Sequence, residues 1–172
     1  LGERSARHGT VAGGPKRSER LDAGTARRVV ELLTQSPSVK TDDITGGAPG
    51  LNANFRYLVE ESVRLGHRTI DRCNLTVLTL PKYRDLPRFL AQHKVEVICS
   101  LPYSLVRTDE QRGDGVFEIG IAALRTLNEL GYGIPGSGLE LTLVTNPVGA
   151  LLPAPQAELE AEFRRALRAE HG

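Results

Sequence analysis

His67, Cys73, His93 and Cys99 have the chemistry of zinc ligands. Tetrahedral zinc needs its ligands converging within about 2.3 Å of one point. The histidines fall in helix-to-strand loops and the cysteines near the opposite ends of strands, so the four are not expected to share an ion. Cys73 and Cys99 belong at the tops of neighbouring strands. There they read first as small buried hydrophobes and second as a thiol pair able to receive a soft element. Two cysteines are too few for a disulfide framework.

The acids offer less. Asp42 and Asp43 adjoin in one strand, and alternation sends them to opposite faces. Asp71 and Glu96 read as core-facing acids, or as partners for Arg72 or Arg68. No serine has the flanking glycines of a nucleophile elbow. Gly46 and Gly47, in the turn Gly46-Gly47-Ala48-Pro49, let backbone approach a ligand closely. The turn is not a phosphate loop, because no Gly-Lys-Ser/Thr follows it, and a dinucleotide fingerprint needs a third glycine opening the helix.

Periodicity supplies the elements that hold these groups. Residues 1–20 read as a polar loop. Asp22 caps a helix to about Gln35, with Val29, Leu32 and Leu33 on one face. Val39 to Thr45 is a strand, and Asn52 caps a helix carrying Phe55, Leu58, Val59 and Ser62 that Gly66 ends. Thr69 to Leu80 holds a strand and a loop, and Asp85 and Pro87 open a short helix through His93. Val95 to Ser100 is a strand. Phe117, Ile121, Leu124, Leu127 and Leu130 mark a helix closed by Gly131. Leu139 to Thr145 is the last strand, and Pro155 opens a helix with Leu159, Phe163 and Leu167. Along that helix Arg164, Arg165 and Arg168 alternate with Glu158, Glu160 and Glu162, as on a solvated face.

A helix followed by four strand–helix pairs predicts an α/β fold of parallel βα repeats. A doubly wound sheet and a piece of a barrel both satisfy that pattern, and in both the ligand sits at the carboxyl ends of the strands. The 172 residues suit one domain. A net charge of +1 without a basic stripe argues against a nucleic-acid partner, and no apolar run approaches the ~20 residues of a membrane span. With no signal peptide in the sequence as given, the cytoplasm is the expected compartment. The absence of methionine and the start at Leu1 lead us to expect a segment of a longer protein.

The run Asp43-Ile44-Thr45-Gly46-Gly47-Ala48-Pro49, continued by Leu51-Asn52-Ala53-Asn54-Phe55-Arg56, resembles the arsenosugar-biosynthesis branch of the radical S-adenosylmethionine family. So do Ile70-Asp71-Arg72-Cys73-Asn74-Leu75-Thr76-Val77-Leu78, Gln111-Arg112-Gly113, Gly131-Tyr132-Gly133 and Leu143-Val144-Thr145-Asn146-Pro147, in family order across residues 14–165. The resemblance implies part of a (βα)6 partial TIM barrel, with about four strands present in residues 21–172. It implies S-adenosylmethionine and a 4Fe–4S cluster at the strand tops. The implied reaction transfers a deoxyadenosyl group to a dimethylated arsenic species, so the small-molecule substrate would be an organoarsenical. In that scheme Gly46, Gly47, Ala48 and Pro49 stand where relatives bind the methionyl amino group, and Asn74 and Ser100 where they contact ribose or carboxylate.

The cluster is the departure. The family's Cys-x3-Cys-x2-Cys loop falls, by ungapped register within residues 1–20, on Gly2, Ala6 and Gly9, and none of these ligates iron. The family's first barrel strand and cysteine-rich C-terminal region are also missing, and Pro102-Tyr103-Ser104 stands where relatives carry a cysteine. Three readings follow from this. The chain is a radical S-adenosylmethionine core whose cluster comes from elsewhere, a non-catalytic βα domain that at most binds a nucleoside cofactor, or a subunit whose open barrel edges a partner chain covers.

Overall fold

The computed structural model describes residues 20–101, 115–144 and 155–172. Four strands, β1 (Thr41–Ile44), β2 (Arg68–Cys73), β3 (Glu96–Ser100) and β4 (Leu141–Val144), pair in parallel in the order β1-β2-β3-β4. Sequence order and spatial order coincide, so these four strands contain no reversal of the kind that marks a doubly wound sheet. Between and around them run α1 (Ala23–Gln35), α2 (Phe55–Arg64), α3 (Leu75–Leu78), α4 (Leu86–Gln92), α5 (Val116–Glu129) and α6 (Gln156–His171). The expected alternation is present. None of the helices described is long and apolar enough to cross a membrane.

Local chemistry sets most boundaries. The Asp22 carboxylate accepts from the Thr25 amide at 2.7 Å and opens α1. Gly66 and Gly131, at φ +80° and +103°, supply the left-handed exits of α2 and α5. Phe55, Leu58, Val59 and Ser62 of α2 are all buried, as their spacing requires.

Three local expectations are corrected. Asn52 does not cap α2. Its side chain accepts from the Asn54 amide in a tight turn and donates to the Leu21 carbonyl, and the helix begins at Phe55. Residues 75–78 are not loop but the single-turn α3, with Leu75, Val77 and Leu78 buried beneath its neighbours. Four residues are too few for a helical period to be legible. In α1 the covered side chains are Ala26 and Val30, whereas Leu32 is 47% exposed, because α1 turns that face to Leu58 of α2 and to Ile44 at the end of β1.

The register sorts the strand residues. Ile44, Asp71, Val97 and Leu141 lie in one row, and Cys73, Cys99 and Leu143 in the next, on one face. That face joins Phe55, Val59, Leu75, Leu86, Leu90, Phe117, Leu124 and Leu127 in the main core. Each such side chain contributes roughly 1.5–3 kcal/mol when fully buried. Gly120 lets α5 sit close, since a Cβ there would stand 2.9 Å from Leu101 Cδ1. The other face carries Asp43, Arg68, Ile70, Arg72, Glu96, Ile98 and Ser100.

Candidate functional site

The carboxyl edge of the sheet is built from the exit of β1. The chain leaves Ile44 through Thr45, Gly46 and Gly47, then enters a 3-10 turn, Pro49–Leu51. Pro49 is buried, Ala48 packs on the main core, and Gly50 lies so close to Leu86 that a Cβ would meet its Cδ2 at 2.7 Å. These residues moor the turn. Gly46 and Gly47 are exposed above it, and a Cβ on either would meet nothing within 4 Å among the described residues. Gly46 has φ +157°, which L side chains rarely adopt. The result is a fixed stretch of bare backbone at a strand top.

Asn74, the residue after β2, adjoins this turn. Its Nδ2 lies 3.5 Å from the Gly47 carbonyl. Its Oδ1 accepts from the Thr76 amide at 3.2 Å and the Thr76 hydroxyl at 2.8 Å, which caps α3 and fixes the side chain. Ser100 ends β3 on the same edge, half-buried and opposite Val144. The six expected cofactor-binding residues, Gly46, Gly47, Ala48, Pro49, Asn74 and Ser100, therefore share one edge, and Gly47 and Asn74 adjoin. Within the turn the work divides: Gly46 and Gly47 present backbone, and Ala48 and Pro49 anchor it.

Below that edge, the face opposite the main core carries charge beside the buried Ile70. Arg72 donates from Nε to Asp43 Oδ1 at 3.0 Å and from Nη2 to Oδ2 at 2.8 Å, and Arg68 pairs with Glu96. The Arg72 guanidinium holds the Asp43 carboxyl below its usual range. Of the two acids left open by the sequence, Glu96 is thus the ion-pair partner and Asp71 the core-facing one. Asp71 is fully buried among the helix-side residues, and apart from the Cys73 thiol beside it neither carboxylate oxygen has a hydrogen-bond partner among the described residues. Burial raises its pKa to about 7, with the Cys73 thiol offsetting part of the penalty. Burial likewise pushes the Cys73 thiol well up. Asp42 points to the covered face, opposite to Asp43 as alternation requires, and burial raises its carboxyl against the pull of the Ser62 hydroxyl.

The Asp43–Arg72 clamp departs from the expected pairing of Arg72 with Asp71 or Glu96. The signal was present. In β2 residues 68, 70 and 72 alternate with 69, 71 and 73, so Arg72 and Asp71 cannot face the same way.

His67 precedes β2 and His93 caps the end of α4, at the amino edge, whereas Cys73 and Cys99 lie at the carboxyl edge. Among the described residues no group of three or more His, Cys, Asp or Glu side chains is placed to hold a metal. An iron–sulfur cluster of the family's kind needs three thiolates. The two cysteines here are buried on the helix side, away from the exposed turn, and do not fit that cluster. Gly2, Ala6, Gly9, Pro102-Tyr103-Ser104, Gln111-Arg112-Gly113 and Thr145-Asn146-Pro147 lie outside the described residues. A hollow of about 290 Å³ between α1 and α2, lined by Arg27, Val30, Glu31, Thr34, Gln35 and Tyr57, is separate from the strand tops.

Compared with known protein families and with curated proteins, the chain matches no family model and no curated protein.

Proposed function

We propose that this chain is a radical S-adenosylmethionine-like segment, part of a partial (βα) barrel, whose strand tops cradle S-adenosylmethionine without ligands for radical chemistry. The observation that carries this reading is the bare Gly46-Gly47 backbone, moored by Pro49 and Gly50 and adjoined by Asn74 at the carboxyl edge of a parallel sheet. Parallel α/β sheets bind ligands at that edge. The sequential strand order supports a barrel segment over a doubly wound sheet.

The Gly47 carbonyl and the adjacent amides would receive the charged amino-acid end of the cofactor, and Asn74 and Ser100 its ribose or carboxylate. Bound there, S-adenosylmethionine offers an activated sulfonium carrying an adenosyl group. Deoxyadenosyl transfer to an organoarsenical, the reaction the resemblance implies, requires a cluster held by residues other than those described. The outer edges of β1 and β4 are where a partner chain would complete the barrel, and the cytoplasm is the compartment in keeping with two reduced cysteines.

Isothermal titration of the chain with S-adenosylmethionine tests the cradle. Binding that disappears in Gly47→Val, with the unfolding midpoint unchanged, is the expected result. No binding by the unaltered chain, or equal binding by the variant, would refute the cradle. Anaerobic reconstitution with iron and sulfide tests the missing chemistry. A cluster absorbance that bleaches on reduction, with cofactor cleavage, would overturn the non-catalytic reading.

A further inference from the structure

Cys73 and Cys99 are register partners on the neighbouring parallel strands β2 and β3. Both point to the helix-covered face, both are buried, and both are thiols rather than halves of a disulfide. Asp71, one pleat back on β2, faces the same way, is fully buried, and among the described residues has no hydrogen-bond partner for either oxygen besides the neighbouring Cys73 thiol. It interacts with the Cys73 thiol, and the Cys99 thiol also acts on Cys73. Two thiols and an acid thus share one buried corner of the core beneath the strand tops.

The spacing of that corner selects its ligand. Side chains of register partners leave the sheet about 4.8 Å apart, the strand separation. A disulfide needs its Cβ atoms closer, at about 3.8 Å. Two metal–sulfur bonds of about 2.3 Å laid end to end span the strand separation without distortion. Soft thiolate pairs select soft ions over hard ones.

The geometry points to Cys73 and Cys99 as a two-thiolate site for one soft, thiophilic cation, with Asp71 as the flanking acid that hydrogen-bonds a bound thiolate. Each thiol gives up its proton to solvent as its sulfur bonds the ion, so two protons leave per cation taken up. No oxidant or reductant takes part. The site stands independently of the Gly46-Gly47 turn.

The test is titration of the reduced full chain, without oxygen, with Cu(I) delivered from a weak chelator and separately with Hg(II). One ion per chain, two protons released and two sulfur neighbours on the ion by X-ray absorption are the expected results. Cys73→Ala and Cys99→Ala should each weaken binding about a hundredfold or more, because a two-point grip becomes one-point. Asp71→Asn should weaken it about tenfold, as loss of an outer hydrogen-bonding group does. Two ions per chain, or a single sulfur neighbour in the unaltered protein, would overturn the site. The sulfur count needs no variant, so it decides the matter even where an alanine variant fails to fold.

Discussion

Arg72 grips Asp43 through both Nε and Nη2 across β1 and β2, while the flanking residues Asp71 and Cys73 turn into the core. One strand therefore holds its charge outside and its titratable, desolvated groups inside. The two faces respond differently to substitution and to pH.

The outer clamp is partly exposed, so its contribution to stability is small. Arg72→Ala should cost under about 1 kcal/mol and the loss should shrink further at high salt. The Asp43 pKa is lowered in the folded chain, so the pair's contribution is present above the unfolded carboxyl pKa and fades as pH falls through the folded value. Urea unfolding of the two proteins at low and high salt measures it. A loss of several kcal/mol would mean that the clamp supports more of the sheet than its exposure indicates.

Asp71 has the opposite sign. Its folded pKa, about 7, lies above the ordinary value of 3.8, so the folded state binds the proton more tightly. The resulting stabilisation is complete below about pH 4 and is lost as pH rises through 7, a total of about 4 kcal/mol. Asp71→Asn should remove most of this slope and leave a protein more stable than the unaltered one at pH 8. Denaturant midpoints across pH 4 to 8 decide the point. A flat profile for the unaltered chain would show that Asp71 is not buried as an unpaired acid.

Tyr132 is fully buried and its hydroxyl donates to the Val95 carbonyl at 2.7 Å, tying the exit of α5 to the entry of β3. Tyr132→Phe keeps the ring and removes that bond. The expected cost is about 1 kcal/mol, rising to about 3–5 kcal/mol in Tyr132→Ala, where a cavity is added. Thermal or chemical unfolding of the pair separates the bond from the packing.

The glycines of the strand-top turn should differ among themselves. Gly50→Ala forces a methyl to within 2.7 Å of Leu86 Cδ2 and should cost about 1–3 kcal/mol. Gly47→Ala meets nothing within 4 Å and should leave stability nearly unchanged. Comparable losses at both positions would show that Gly47 also holds the fold, and would remove its use as a probe of ligand binding.

Apart from α3, the order and kind of the main elements were legible in the sequence, and so was much of the burial. Phe55, Leu58, Val59 and Ser62 announce the covered face of α2, and Asp42 and Asp43 announce their own divergence, because side-chain direction within one element follows from its period alone. Gly66 and Gly131 mark helix exits by conformational freedom alone. The grouping of the glycine turn with Asn74 and Ser100 followed from a rule about parallel sheets.

What the tertiary structure decided is everything that needs a second element. The pairing register put Cys73 opposite Cys99 and brought Arg72 within reach of Asp43. The α1 contact with α2 covered Ala26 and Val30 and left Leu32 outside, and the main core buried α3 over too few residues to show a period. A single segment encodes which of its side chains point together. Which of those directions is covered, and what stands across the gap, depends on how neighbouring segments pack.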